Sequence, residues 1–167
     1  MRRIDVYGAE LRFAAAHFTT FGGECGELGS ERLHGHNYAV AVQLEGDLSA
    51  DSWVFDFVEL RRLVAALCQE LDHAFLLPTE NHHLKVERGE GHYHVTFADR
   101  RYVIPETDVR PLPIDNSTAE RLAEWLAGRL AGQLRSRGAA NLSSLTVTAE
   151  EAPGQSASFT LPLDTIP

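Results

Sequence analysis

Two histidines separated by a single glycine, His34 and His36, are the residues of this chain best suited to chemistry. They open an alternating apolar run from Tyr38 to Leu44, which predicts a β-strand. Residues two apart on a strand share a face, so both imidazoles should point the same way. A catalytic zinc ion usually takes three protein ligands and leaves one position for water or substrate. His17, at the end of the preceding apolar run, is the third histidine that an antiparallel strand would bring beside the pair. The alternative is that the pair lies on a polar sheet face by chance.

The composition is that of one globular domain. The chain has 167 residues, of which 44% are hydrophobic and 23% charged, enough apolar material for a core. The formal net charge of −9 argues against nucleic acid as a partner but permits an anionic small substrate. No apolar run approaches the roughly 20 residues that span a bilayer. Residues 1–5 lack the apolar core of a signal peptide, so we expect a cytoplasmic protein with no membrane partner.

Helical and strand periodicities follow one another along the chain. Residues 4–18 and 33–46 each predict a strand, and a glycine-rich loop joins them. A first helix follows, with Asp56 at its N-cap position. A second helix begins near Ser117, which has capping-box spacing to Glu120. Two further strands follow that helix, so the order favours an α+β domain with an antiparallel sheet.

The connection between the helices, residues 79–115, is long enough to carry its own structure. It predicts a hairpin that turns around residues 88–91, and a short third strand after it. His92 and His94 repeat the spacing of the first histidine pair, and we expect them on an exposed face of this hairpin. No linker divides the chain, so residues 1–167 are predicted to form a single domain with this insertion.

Six short motifs, in this order, resemble those of the 6-pyruvoyl- and 6-carboxytetrahydropterin synthases. No single motif is specific, but their order along nearly the whole chain is. They are Phe13–His17, Leu33–Tyr38, Val54–Phe57, Leu71–His73, Thr118–Glu120, and Glu151 eight residues before Phe159.

The resemblance implies the tunnelling fold (T-fold), an antiparallel four-stranded sheet with two helices on one face. It implies a homohexamer built from two stacked trimers, with active sites between subunits. It also implies 7,8-dihydroneopterin triphosphate as substrate and a zinc ion held by His17, His34 and His36.

Further roles follow from the same resemblance. Asp72 and His73 match a pair that serves in proton transfer, although a histidine at a helix C-terminus is also favoured by the helix dipole. Glu151 would accept two hydrogen bonds from the pterin, and strand alternation favours it over the preceding glutamate. Thr118 and Glu120 match a motif near the pterin, although both also suit an ordinary helix cap.

The catalytic base is where this chain departs from the family pattern. Many carboxy-type members place a cysteine four residues before the first histidine of the pair, where this chain has Ser30. Cys25, on the same loop, is the nearest thiol and is our first choice of base. Glu31 is the alternative, because it resembles the E-x-x-H-G-H signature of members that cleave the side chain to give 6-hydroxymethyl-dihydropterin.

The leading interpretation is therefore a zinc-dependent lyase, 6-carboxytetrahydropterin synthase, which releases acetaldehyde and triphosphate on the way to 7-deazapurines such as queuosine. A sister activity is the second interpretation, with 6-pyruvoyl-tetrahydropterin or 6-hydroxymethyl-dihydropterin as the product. A zinc- and pterin-binding protein without turnover is the third, and belongs to another functional class.

Overall fold

The computed structural model describes residues 1–23 and 26–163. Strands predominate, and two long helices interrupt them. In chain order the elements are β1 (Arg2–Val6), β2 (Arg12–His17), β3 (Thr20–Phe21), β4 (Gly29–Ser30), β5 (His34–Gly46), α1 (Phe57–Leu71), β6 (Ala74–Pro78), β7 (Lys85–Gly89), β8 (His92–Phe97), β9 (Arg100–Pro105), a 3-10 turn (Glu106–Asp108), β10 (Val109–Leu112), α2 (Ala119–Arg135), β11 (Leu142–Ala152) and β12 (Gln155–Pro162).

The long strand β5 organises the main sheet, whose order is β10-β6-β2-β5-β11-β12. One half of β5 pairs antiparallel with β2, and the other half pairs antiparallel with β1. The single strand predicted over residues 4–18 is therefore wrong: a turn, closed by a 3.2 Å hydrogen bond from Leu11 N–H to the Gly8 carbonyl, divides it. Counting β1 and β2 as one broken strand, the predicted four-stranded antiparallel sheet is present with β5, β11 and β12.

Two strands extend this sheet beyond the prediction. β6 pairs parallel with β2, and β10 pairs parallel with β6 at the sheet edge. Pro111 lies in β10, which fits an edge strand because proline has no N–H to donate to a neighbour. The sheet is thus mixed, with an antiparallel centre and a parallel edge.

Both helices bury their apolar stripe against the same face of the sheet, as predicted. Alternate residues of the strands point to that face because strand side chains have a period of two. The core contains Phe13, Tyr38, Val40, Val42, Leu145 and Val147 from the strands, with Leu60, Leu67, Leu122, Leu126 and Leu130 from the helices.

The helix N-termini are capped by side chains, but not both as predicted. Asp56 accepts hydrogen bonds from the N–H groups of Val58 (2.7 Å) and Glu59 (3.0 Å) at the start of α1, as expected. The N-cap of α2 is Thr118 rather than Ser117. The Ser117 hydroxyl is instead fully buried and donates to the carbonyl of residue 18, at 3.0 Å. No helix among the described residues has the length and apolar character needed to cross a membrane.

The insertion forms a separate three-stranded antiparallel sheet, β7-β8-β9, which contains the predicted hairpin. A small second core joins it to the main sheet, and Phe18 and Val95 are buried there. Phe18, directly after β2, stacks on Tyr102 of β9 with ring centroids 5.2 Å apart. The insertion therefore packs beside the end of the strand that carries His17.

Candidate active site

The pairing of β2 with β5 brings the three predicted histidines together. His17 lies directly opposite His34 in this antiparallel pair, and Ala15 lies opposite His36. Ring nitrogens of the three histidines lie within 4.8 Å of one another. Within residues 1–23 and 26–163 this is the one cluster of at least three histidine, cysteine or acidic side chains close enough to share a metal ion.

Backbone carbonyls orient two of the three rings. His17 Nδ1 lies 2.8 Å from the Ser117 carbonyl oxygen, and His34 Nδ1 lies 2.7 Å from the Arg32 carbonyl oxygen. A carbonyl oxygen can only accept, so each Nδ1 carries the hydrogen, and in the neutral form of the ring Nε2 then has the free electron pair. This is the tautomer in which metal-binding histidines are commonly held by their surroundings.

The electrostatics of His17 also suit a metal ligand. Its side chain is buried, and this burial lowers the pKa of the imidazole despite the hydrogen bond to Ser117. Beneath it, the Tyr38 hydroxyl lies 3.3 Å from His17 Nε2, and burial raises the pKa of that phenol well above its usual range. The ring of His17 is therefore neutral near pH 7, the form that binds metals. The donor set fits zinc, which takes three imidazoles in some catalytic sites.

A cavity of about 340 Å³ opens beside the histidines. The loop before β5, the N-terminus of α2 and the hairpin formed by β11 and β12 contribute residues to its lining. Among its lining residues are His17, Thr19, Glu31, His34, Thr118, Glu120 and Glu151. Four residues predicted to act as base or to hold substrate therefore lie around one cavity with two of the three predicted metal ligands.

Glu31 is held in this cavity by Thr19. Its Oε2 accepts a 2.7 Å hydrogen bond from the Thr19 hydroxyl and a 3.1 Å hydrogen bond from the Thr19 N–H. Partial burial alone would raise the pKa of this carboxyl group, but the two Thr19 hydrogen bonds and the nearby His34 together lower it. Glu31 is therefore ionised at neutral pH and can accept a proton. Cys25, the other predicted base, lies outside the described residues.

Glu151 occupies an irregular position in the last hairpin. The pairing of β11 with β12 shifts register between Glu150 and Ala152, which places Glu151 in a β-bulge. Glu150 accepts a 3.3 Å hydrogen bond from the Gly154 N–H at the hairpin turn, whereas Glu151 lines the cavity. Bulges commonly redirect a side chain next to an active site.

Asp72 and His73 form the expected pair but lie apart from the Glu31 cavity. Asp72 accepts from the Ala14 N–H at 2.8 Å, and its other oxygen lies 2.8 Å from His73 Nδ1. The Ala14 N–H and then the His73 side chain lower the pKa of Asp72. His73 is 82% exposed and, with His36, lines a second groove of about 560 Å³. This groove does not contain Glu31 or Glu151.

Sequence reasoning missed two groups that shape the cavity. Thr19 follows His17 by two residues, so strand alternation could have placed it on the same side. The carbonyl of Ser117 lies 100 residues from His17, and no local pattern links the two.

The second histidine pair, His92 and His94, does not belong to this histidine cluster. His92 Nδ1 lies 2.9 Å from the Glu90 carbonyl oxygen, and His94 Nδ1 lies 3.4 Å from an Arg101 nitrogen.

Comparisons with known proteins agree with this fold. The family model of 6-pyruvoyl tetrahydropterin synthase matches residues 8–162. A protein of Methanocaldococcus jannaschii called a putative 6-carboxy-5,6,7,8-tetrahydropterin synthase is 35% identical over 160 residues, which is 95% of each chain. The crystal structure of Plasmodium vivax 6-pyruvoyltetrahydropterin synthase superposes with a TM-score of 0.87 at 29% identity, covering 96% of this chain and 98% of that one. A variant of it, in which a catalytic glutamate is replaced by alanine, gives a TM-score of 0.86 at the same identity and coverage.

This chain belongs to the 6-pyruvoyl tetrahydropterin synthase family, as the six motifs predicted. The T-fold expected from the resemblance is confirmed by the same solved structures.

Proposed function

We propose that this protein is a zinc-dependent lyase that acts on the side chain of 7,8-dihydroneopterin triphosphate, with 6-carboxytetrahydropterin as its product. The observation that carries the proposal is the cavity in which the Glu31 carboxylate meets His17, His34 and Glu151. A base, part of a metal site and a pterin anchor are the three parts that such a reaction needs. The name of the Methanocaldococcus jannaschii relative, which is matched over 95% of its length, supports this product over its alternatives.

The residues of the cavity divide the chemistry between them. Zinc, when bound by the three imidazoles, would polarise the hydroxyl groups of the substrate side chain. Of the two predicted bases, Cys25 lies outside the described residues and Glu31 lines the cavity, so we assign the removal of the substrate proton to Glu31. Thr19 holds the carboxylate in place and favours its ionised form until the proton is transferred. Glu151 accepts two hydrogen bonds from the amino and ring N–H groups of the pterin, which holds the side chain toward Glu31. Thr118 and Glu120, at the start of α2, line the same cavity and would border the bound pterin.

A homohexamer of two stacked trimers would complete the site. His73, paired with Asp72, is exposed in a groove separate from the Glu31 cavity, which supports a role for this pair in the site of a neighbouring copy. Mixing E31Q and H73A proteins, each inactive alone, should then restore part of the activity through mixed oligomers. If no mixture recovers activity, the two residues do not act across a subunit boundary.

Side-chain cleavage to 6-hydroxymethyl-dihydropterin is the second candidate function. It is favoured by the position of Glu31 in the cavity, because a carboxylate is a weaker base than a thiolate. A weak base suits removal of a proton from a polarised hydroxyl better than removal from carbon. The catalytic glutamate of the Plasmodium vivax enzyme, a 6-pyruvoyltetrahydropterin synthase, is a further reason to consider Glu31 as the base.

The cytoplasmic location expected from the sequence stays a prediction.

Mass spectrometry of the products from zinc-loaded protein and 7,8-dihydroneopterin triphosphate tests the proposal. A 6-carboxytetrahydropterin with acetaldehyde is the expected result. A hydroxymethyl or pyruvoyl pterin would replace the proposed product with a sister activity. Tight pterin binding without any product would contradict the assignment as an enzyme.

A further inference from the structure

An arginine connects the inserted sheet to the loop that carries Glu31. Arg100, the first residue of β9, donates from Nη1 to the Glu31 carbonyl (2.8 Å) and to the Ser30 hydroxyl (2.9 Å). A longer contact of 3.4 Å joins the same nitrogen to the Ser30 carbonyl. These residues are about 70 positions apart in the chain, so the contact ties the insertion to the segment before β5.

Both ends of this contact are themselves anchored beside the metal ligands. On the insertion side, Tyr102 follows Arg100 by two residues in β9 and stacks on Phe18, the neighbour of His17. On the loop side, the carbonyl of Arg32 accepts from His34 Nδ1 at 2.7 Å. The segment 30–32 is thus held by an arginine at one end and orients a metal ligand at the other.

The backbone beside Glu31 is paired within its own loop. Thr20 pairs with Ser30 and Phe21 with Gly29 in the short antiparallel pair of β3 and β4, and the Glu31 N–H donates to the Thr19 carbonyl at 3.0 Å. Arg100 adds to this pairing a contact from outside the loop, on the Glu31 carbonyl itself. A charged donor on a backbone carbonyl makes a stronger hydrogen bond than a neutral one.

We propose that Arg100 is a positioning residue for Glu31, and that the inserted sheet serves to place the base against the metal ligands. The inference rests on the proposed function, in which Glu31 accepts a proton from the substrate. It assigns a role to the insertion, which the sequence leaves without one.

The test compares R100A with R101A as its matched control. Arg101 is the adjacent arginine of β9, and its guanidinium contacts His94 rather than the loop. Displacement of a reacting group by about 1 Å can cost on the order of a hundredfold in rate, so R100A should lose roughly ten- to a hundredfold in kcat. Its KM and zinc content should stay within about twofold to threefold of the wild-type values, and R101A should retain wild-type kcat. A wild-type kcat in R100A would overturn the proposal.

A double variant separates positioning from a general loss of structure. If Arg100 acts through Glu31, adding R100A to E31Q should slow the reaction no further, because the base is already absent. A further tenfold loss in the double variant would show that Arg100 acts by another route and would overturn the inference.

Hydrogen exchange provides a readout that needs no turnover. The Glu31 amide donates to the Thr19 carbonyl at 3.0 Å, and it should exchange at least about tenfold faster in R100A than in R101A. Equal protection in the two variants would overturn the role of Arg100. If the wild-type protein converts no pterin, the proposed function fails while this exchange result still decides whether Arg100 holds the Glu31 segment.

Discussion

Replacement of Glu31 by glutamine is the most direct test of the cavity chemistry. Both Thr19 hydrogen bonds end on one oxygen of Glu31, Oε2, at 2.7 and 3.1 Å. In E31Q the amide oxygen can accept both of these hydrogen bonds, and the amide nitrogen takes the place of Oε1. The side chain should therefore keep its shape and position while it loses the ability to take up a proton.

The size of the effect follows from what is removed and what remains. A general base in a positioned site contributes roughly a hundred- to ten-thousandfold to the rate, or about 3–5 kcal/mol of transition-state stabilisation. The three predicted metal ligands and Glu151 are unchanged in E31Q, so zinc content and pterin affinity should stay near wild-type values. The loss is therefore expected almost entirely in kcat.

Single-turnover kinetics with zinc-loaded E31Q would measure the chemical step directly. E150Q is the matched control, because Glu150 caps the hairpin turn and does not line the cavity. An E31Q protein whose rate lies within about threefold of wild type would refute the assignment of Glu31 as base. A large loss in C25A under the same conditions would then identify the thiol as the base.

Three further predictions use other parts of the molecule. Wild-type protein should bind about one zinc per chain, and H34A should lose most of it in metal analysis; full retention would contradict the three-histidine site. E151Q should weaken pterin binding by roughly ten- to a hundredfold in calorimetry while E150Q does not, because a charge-assisted hydrogen bond is worth about 1.5–3 kcal/mol. Hydrogen bonds from Arg62 and, to a lesser extent, Arg137 lower the pKa of Glu59 from 4.5 to about 2. The stabilising effect of this carboxylate is therefore complete above pH 4.5 and disappears as the pH falls toward 2. In urea unfolding at about pH 5 and about pH 3, E59Q should therefore lose less stability on acidification than wild type does; equal losses would contradict this linkage.

Strand periodicity predicted the cluster of three histidines in the candidate site. The single glycine between His34 and His36 and the alternation after them were enough to place both rings on one face, and His17 followed from the next apolar run. Helix periodicity and the Asp56 cap predicted α1 equally well. These features are local, so a short window of sequence contains the information that determines them.

Features that depend on contacts between residues far apart in the chain could not be predicted from local sequence patterns. The short apolar segment of β6 has no alternation, and only its parallel partners β2 and β10 make it a strand. Ser117 has a good capping position in sequence, but its hydroxyl is taken by the carbonyl of residue 18, which moves the N-cap to Thr118. The contact from Arg100 to the Glu31 segment likewise joins residues about 70 positions apart.

The hydrogen bond from His17 to the Ser117 carbonyl bears on when the protein could acquire the proposed metal ion during biosynthesis. A nascent chain synthesised as far as β5 already contains all three histidines but not residue 117. His17 then lacks the carbonyl that selects its tautomer, so this histidine is present before it is oriented. Firm metal uptake should therefore wait until α2 has left the ribosome and docked, and the ion would be captured by a nearly complete domain.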